Sequence, residues 1–236
     1  MREEPDAVFT ERQRIQAENQ RRANELDSDR YSPWQPDQIF LTTVRKAVAA
    51  AMLREALVFP QTGDKCLEVG CGTGGWLADL ISWGVRETDL HGIDIDALRI
   101  NRAKEILPGA DLRIGDAASL PWDSGTFDIV ICSTLFTSVL DLGVRCLIAG
   151  EIVRVLAPGG ALLWYDFAFN NPRNPHVRGI SRSELRQLFP QLAGKIRSVT
   201  LAPPLARLIV PRSWTLASLL EAVPFLRTHL LAILIK

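Results

Sequence analysis

Cys66-Leu67-Glu68-Val69-Gly70-Cys71-Gly72-Thr73-Gly74-Gly75 runs as an apolar strand through one acid into a glycine cluster. So many glycines at a strand end suit a nucleotide-like ligand pressed against bare backbone. Gly70, Gly72 and Gly74 let the turn take positive φ and keep Cβ atoms out of the ligand's way. The helix predicted to follow aims its free amides and positive dipole end at the same spot. Gly70, Gly72 and Gly75 also satisfy G-x-G-x-x-G, the dinucleotide fingerprint, so the turn alone leaves the ligand class open.

Outward from this turn the chain alternates between strands and helices. Strand one covers roughly 65–69, and a helix follows to Trp83. A second strand at 90–94 precedes a helix over 97–106, which Pro108-Gly109 stops. A short third strand lies near 111–114. Phe127–Ser133 is almost continuously apolar, as a strand buried on both faces should be. A helix from about Leu142 to Leu156 ends at Pro158-Gly159-Gly160, and Ala161–Phe167 is the fifth strand. This alternation predicts an α/β fold with a mostly parallel sheet covered by helices on both faces.

The flanks read differently. Residues 1–30 form a polar, partly helical arm that either frays or covers another surface. Tyr31-Ser32-Pro33-Trp34-Gln35-Pro36 punctuates, and Phe40, Leu41, Val44, Val48 and Met52 then place a helix through about Leu57. After the fifth strand, Asn170-Asn171-Pro172-Arg173-Asn174-Pro175-His176 suits only an irregular loop. A helix starts at Ser181 with Glu184 in capping-box register. A strand over 196–202, proline-broken helical pieces over 203–227 and a closing strand at Leu230–Ile235 complete the chain. The organisation expected is an arm and helical cap over 1–58, then a binding domain over 59–236 with lid or substrate elements within 168–228.

At 236 residues and 47% hydrophobic, the chain suffices for one full α/β domain with a sizeable core. Its formal net charge is zero, yet residues 168–236 carry a net of +8 and residues 1–167 a net of −8. The basic tail either faces something anionic or pairs with the acidic half. Cys66, Cys71, Cys132 and Cys146 lack paired metal spacing and read as reduced core residues of a cytoplasmic protein. Met1-Arg2-Glu3-Glu4-Pro5 lacks the apolar core of a signal peptide. No apolar run approaches the ~20 residues of a membrane span, so a soluble chain is expected.

Strand two ends Gly92-Ile93-Asp94-Ile95-Asp96. A carboxylate at that tip, beside the glycine turn, accepts two hydrogen bonds from a ribose diol; Asp94 takes this role and Asp96 the N-cap of the next helix. Gly115-Asp116-Ala117 follows strand three, where an acid accepts from an exocyclic adenine amine and Ala117 leaves room for the ring. The succession E-V-G-C-G-T-G, G-I-D-I-D, G-D-A-x-x-L-P-W, F-D-I-V and R-V-L-A-P-G-G resembles the class I S-adenosylmethionine-dependent methyltransferases over about residues 60–167. The resemblance implies a Rossmann-like, doubly wound, seven-stranded sheet, mostly parallel with the last strand antiparallel, and S-adenosyl-L-methionine as cofactor across the carboxyl ends of the first strands. It places Glu68 to Gly74 at the methionine end and the sugar turn. Asp94 falls on the ribose, Ile95, Asp116 and Ala117 on the adenine, and Ser133 near the methionine. No metal is implied.

Methyl transfer from a sulfonium is an in-line displacement that chiefly needs alignment, with a base where the acceptor is a hydroxyl. Small-molecule members of the family often carry histidine after strand four, but here that stretch reads Leu135-Phe136-Thr137-Ser138. The candidate bases therefore lie after strand five, at Asp166 and His176, with Tyr165 and Arg173 orienting the acceptor. Nucleic acid is disfavoured as the acceptor. Ser133-Thr134-Leu135-Phe136 stands where amino-methylating DNA enzymes carry (N/D)-P-P-(Y/F), and aromatics do not interleave with Lys/Arg. The basic apolar stretch Pro203–Trp214, with Arg207 and Arg212, suits an anionic or lipid-linked small molecule or a membrane-surface contact. The expected activity is O-methylation of a sugar or of a phosphorylated or lipid-linked intermediate; the alternative is a non-catalytic S-adenosylmethionine-binding regulatory or scaffolding protein.

Overall fold

The structure is a computed structural model that describes residues 7–25, 32–171 and 174–236. The glycine turn sits at the centre of a seven-stranded sheet of order β3-β2-β1-β4-β5-β7-β6. These strands are β1 (Cys66–Val69), β2 (Leu90–Asp94), β3 (Asp111–Ile114), β4 (Phe127–Ser133), β5 (Leu156–Phe167), β6 (Ala193–Leu201) and β7 (Arg227–Ile235). The first five are mutually parallel, and β7 is antiparallel to both β5 and β6. Strand order reverses at β1, which pairs with β2 on one side and β4 on the other. In an open α/β sheet this is where a ligand crevice opens, at the carboxyl ends of the strands.

Eight α-helices cover the sheet among the described residues: α1 (Ala7–Glu25), α2 (Pro36–Glu55), α3 (Gly75–Ser82), α4 (Ala97–Ile106), α5 (Leu142–Val155), α6 (Arg182–Leu188), α7 (Pro203–Ile209) and α8 (Trp214–Glu221). The pleat sorts the core into two layers. Leu67, Val69, Val130, Cys132, Leu162 and Trp164 meet α5 and α6 on one face. Cys66, Ile129, Ile131, Leu163 and Tyr165 meet α2, α3 and α4 on the other. The helices connecting β1, β2 and β3 share a face because right-handed crossovers in one direction must do so. A third cluster seats α7 and α8 on Phe40 of α2 and Leu201 of β6.

Several local expectations change in the folded chain. The turn Pro158-Gly159-Gly160 lies inside β5, not between helix and strand. Pairing with β4 slips from Phe127–Leu156 to Ile129–Ala161, and Gly159 takes φ 77° in that irregularity. Only half of the capping box at α6 forms: Ser181 Oγ accepts from Glu184 N at 3.1 Å. The Glu184 carboxylate is drawn away to Arg145 at 2.6 Å and Arg178 at 3.3 Å. Cys66, Cys71 and Cys132 are buried free thiols, but Cys146 is exposed on α5 and is not a core residue. Among the described residues no helix is long and apolar enough to cross a membrane.

Candidate active site

The turn after β1 is held by the end of β2. Gly70 N and Cys71 N both donate to the Ile93 carbonyl, at 2.8 and 3.0 Å. Gly70, Gly72 and Gly74 stand at φ 75°, 53° and 81°, a region closed to most side chains. A Cβ on Gly72 or Gly75 would meet nothing within 4 Å, so open space lies against the backbone there. Gly74 caps α3 with no side-chain bond, and the Leu77 amide in the first turn donates to the Glu68 carboxylate.

Asp94 ties the next strand into the same structure. Its Oδ2 accepts from Gly72 N at 2.9 Å and its Oδ1 from Asp96 N at 2.9 Å, with the residue 9% exposed. Each oxygen keeps a further lone pair for a ligand in the cleft. Asp96 caps α4 by accepting from Leu98 N and Arg99 N. Asp116 Oδ1 accepts from Ala118 N at 2.8 Å, which fixes the turn after β3.

The cleft, of about 810 Å³ including its mouth, is lined by Gly70, Asp94, Ile95, Asp116, Ala117 and Ser133. Thr134, Leu135 and Val139 continue the wall, and α1 closes it with Val8, Glu11, Arg12, Ile15 and Asn19. The arm is pinned there: the Leu140 amide donates to the Glu11 carboxylate, and Arg14 donates to the Ser138 carbonyl. Thr134 takes φ 55°, an outlying conformation for a β-branched residue, at the lip of the cleft.

Behind the glycine turn lies a second, buried group. Glu68 is 4% exposed, and burial pushes its carboxyl well above the usual range against the pull of Arg45. The Arg45 guanidinium stands 4.5 Å over the Trp76 ring and 5.3 Å over Tyr165. Glu68 Oε2, Arg45 Nε and Trp76 Nε1 are buried without hydrogen-bond partners. One acceptor and two donors left open together fit the ammonium and carboxylate of an amino-acid head group. Arg45 and Trp76 were missed by sequence reasoning. Arg45 sits about twenty residues before β1 on a helix whose packing no local pattern reveals.

The remaining expected residues fall elsewhere. Asp166 is 1% exposed; Thr137 donates to it from its amide at 3.1 Å and its hydroxyl at 2.5 Å, and the Phe167 amide donates as well. It fastens the turn after β4 and is out of reach of an acceptor, so the structure corrects its reading as an open base. His176 faces α1, with Nε2 3.7 Å from Glu18, outside the residues that line the cleft. Tyr165 is core: its hydroxyl pairs with Thr200 Oγ1 at 2.9 Å and its ring stacks on His229 at 4.8 Å. Arg207 pairs with Asp37 at 3.7 Å and Arg212 donates to the Leu208 carbonyl, so neither lines the cleft. Arg173 lies outside the described residues. His229, buried at the carboxyl edge, is driven down to about 3 by burial and Arg45, which leaves it neutral. Among the described residues no cluster of His, Cys, Asp or Glu could hold a metal.

Burial pushes Asp166 up to about 6, against the hydrogen bonds from Thr137. The native chain therefore holds a proton there between the ordinary 3.8 and about 6, where the unfolded chain has released it. This stability is full below 3.8 and is lost as pH rises through about 6, on the order of 3 kcal/mol. Urea unfolding of wild type against Asp166→Asn across that window should show a pH slope that differs by the one proton Asp166 holds.

Residues 66–160 match a family model described as a methyltransferase domain. The chain is 32% identical over 135 residues to a phthiotriol/phenolphthiotriol dimycocerosates methyltransferase of Mycobacterium ulcerans, covering 54% of this chain and 46% of that one. It is 27% identical over 164 residues to norajmaline N-methyltransferase of Rauvolfia serpentina, covering 63% and 54%. The chain thus spans about half the length of the curated relatives it matches. Among solved structures, N-methyltransferase NodS from Bradyrhizobium japonicum, in complex with S-adenosyl-L-homocysteine, superposes with a TM-score of 0.66 at 18% identity, covering 94% of this chain and 98% of that one.

Proposed function

We propose that the chain is a class I S-adenosylmethionine-dependent methyltransferase and that it methylates a largely apolar small molecule in the cleft between the glycine turn and α1. The observation that carries this reading is the convergence of Gly70, Asp94, Asp116 and Ser133 on one cleft, with Glu68 Oε2 and Arg45 Nε open behind it. When bound, S-adenosylmethionine supplies a methyl group on a sulfonium, open to in-line displacement. The chain's residues do the rest. Asp94 accepts from the ribose hydroxyls, Ile95 and Ala117 pack the adenine, and Asp116 accepts from its amine. Glu68 and Arg45 take the ammonium and carboxylate of the amino-acid end, and Gly72 and Gly74 permit the close approach. Arginine suits that carboxylate because its fork donates in a fixed plane.

The acceptor reading changes with the arginines. O-methylation of a phosphorylated intermediate rested on Arg207 and Arg212, and neither lines the cleft. Leu135, Val139, Val144 and Ile148 line the cleft instead, which favours an apolar acceptor body. Two of the relatives are named for phthiotriol/phenolphthiotriol dimycocerosates and for N-methylation of norajmaline. Alignment rather than a strong base then carries the rate, with Thr134 at the lip to orient the acceptor. A cytoplasmic location suits the four unpaired thiols.

Labelled methyl from S-adenosylmethionine, incubated with the chain and an extract of its source cells, should enter organic-extractable material. Cofactor binding without transfer to any fraction would favour the non-catalytic binder. Arg45→Ala should weaken cofactor affinity by about tenfold or more, through one lost charged hydrogen bond, measured by calorimetry. A chain lacking residues 1–25 should release the cofactor about tenfold faster in stopped-flow chase, since α1 forms one wall of the cleft.

A further inference from the structure

We propose that the insert between β6 and β7 is a lipid-contact surface that seats the carboxyl edge of the sheet on an anionic bilayer. The biological purpose of this contact rests on the apolar-acceptor reading above. β6 and β5 are both antiparallel to β7, so β6 runs parallel with β1 and β4. The insert therefore leaves Leu201 at the same edge of the sheet where the cleft opens.

The inner face of the insert is spent on the fold, through Ala206, Val210 and Ala217. Its outer face is apolar: Phe225 is 86% exposed, Leu219 64% and Leu208 58%, with Leu216 and Trp214 partly exposed beside them. Trp214 meets Phe40 edge-on at 5.0 Å, which joins this face to α2. The face is also free of exposed carboxylates. Between β6 and β7, over residues 202–226, the chain has two arginines, Arg207 and Arg212, and one acid, Glu221. That acid is buried, accepting from Thr200 N at 3.0 Å and lying 3.5 Å from Arg227. Arg212 stands exposed among these side chains, bonded to the Leu208 carbonyl.

Leu208, Trp214, Leu216 and Leu219 protrude from helices of seven and eight residues, and Phe225 from the short 3-10 turn Pro224–Leu226 that follows. Apolar tips with an aromatic girdle and cationic charge suit the headgroup layer, where the rings sit at the interface and Arg meets phosphate. Such a face, on the same edge of the sheet as the cleft, would hold the protein at the layer in which a lipid-dissolved acceptor lies.

The test is co-sedimentation of the full chain with vesicles of phosphatidylcholine plus phosphatidylglycerol, against phosphatidylcholine alone. The double variant Leu219→Asp/Phe225→Asp is compared with Leu147→Asp, an exposed leucine on α5. Wild type and Leu147→Asp should sediment with the anionic vesicles and be released by salt, whereas the double variant should bind about tenfold more weakly or worse. Calorimetric cofactor binding should be equal in all three, which shows that the fold is kept. Wild type left in the supernatant, unchanged binding by the double variant, or a wild-type dimer that the double variant dissolves would each overturn the proposal. Methyl transfer in detergent separates the two readings. Transfer without vesicle binding removes the lipid contact alone, and vesicle binding without transfer removes the proposed activity and leaves the contact standing.

Discussion

Replacing Asp94 with alanine should raise the dissociation constant for S-adenosylmethionine by about a hundredfold and destabilise the chain by ~2 kcal/mol. The two effects have separate origins. The carboxylate holds Gly72 N and Asp96 N, each at 2.9 Å, and it is nearly buried. Its loss leaves two amides poorly solvated, each costing about 1–3 kcal/mol before relaxation and water entry. The same oxygens are the acceptors proposed for the ribose diol, and charged acceptors are worth about 1.5–3 kcal/mol per bond. Asp94→Asn separates the contributions. It keeps the shape and one acceptor, so it should recover part of the stability while affinity stays well below wild type. Urea unfolding and calorimetry on the three proteins check this.

Arg145→Ala should destabilise the chain by about 3–5 kcal/mol, which is the larger structural effect. Arg145 is fully buried, and burial holds its guanidinium below the usual arginine range despite Glu184. Its Nε donates to the Val139 carbonyl at 2.6 Å and its Nη1 to Glu184 at 2.6 Å. It therefore ties α5 and α6 to the turn that carries the cleft wall at Val139. Truncation leaves the carbonyl unmet and Glu184 with only the longer contact to Arg178. Replacing both partners, as Arg145→Met with Glu184→Gln, should cost much less, because the penalty comes from stranding one charge in the interior. Denaturant midpoints of the two variants distinguish these outcomes.

The contrast between Asp94 and Arg145 shows what a sequence discloses. The β1 turn, Asp94 and Asp116 were legible because each sits at a fixed offset from a strand end, and backbone geometry alone determines where such residues point. The mostly parallel sheet covered on both faces was legible for a similar reason, since alternating strands and helices leave few other arrangements. Asp166 and Tyr165 also stand at a strand end, but alternation sends Asp166 into the α5 layer and Tyr165 into the α2 layer, where Thr137 and Thr200 take their polar atoms. A strand-end position names the edge and not the face. The arginines failed as predictors for another reason. Asp37 is 170 residues from Arg207, and such a pairing leaves no trace in local spacing. The placement of α1 across the cleft was similarly hidden, because its Glu/Arg-rich surface reads alike whether it is solvated or pinned to Leu140 and Ser138.

The most direct measurement is equilibrium binding of S-adenosylmethionine and, separately, of NAD(P)H to wild type, Asp94→Ala and Arg45→Ala. The account predicts saturable one-to-one binding of S-adenosylmethionine by wild type, weakened in both variants, and no binding of the dinucleotide. Equal affinity in all three proteins, or binding of the dinucleotide in place of S-adenosylmethionine, would contradict it.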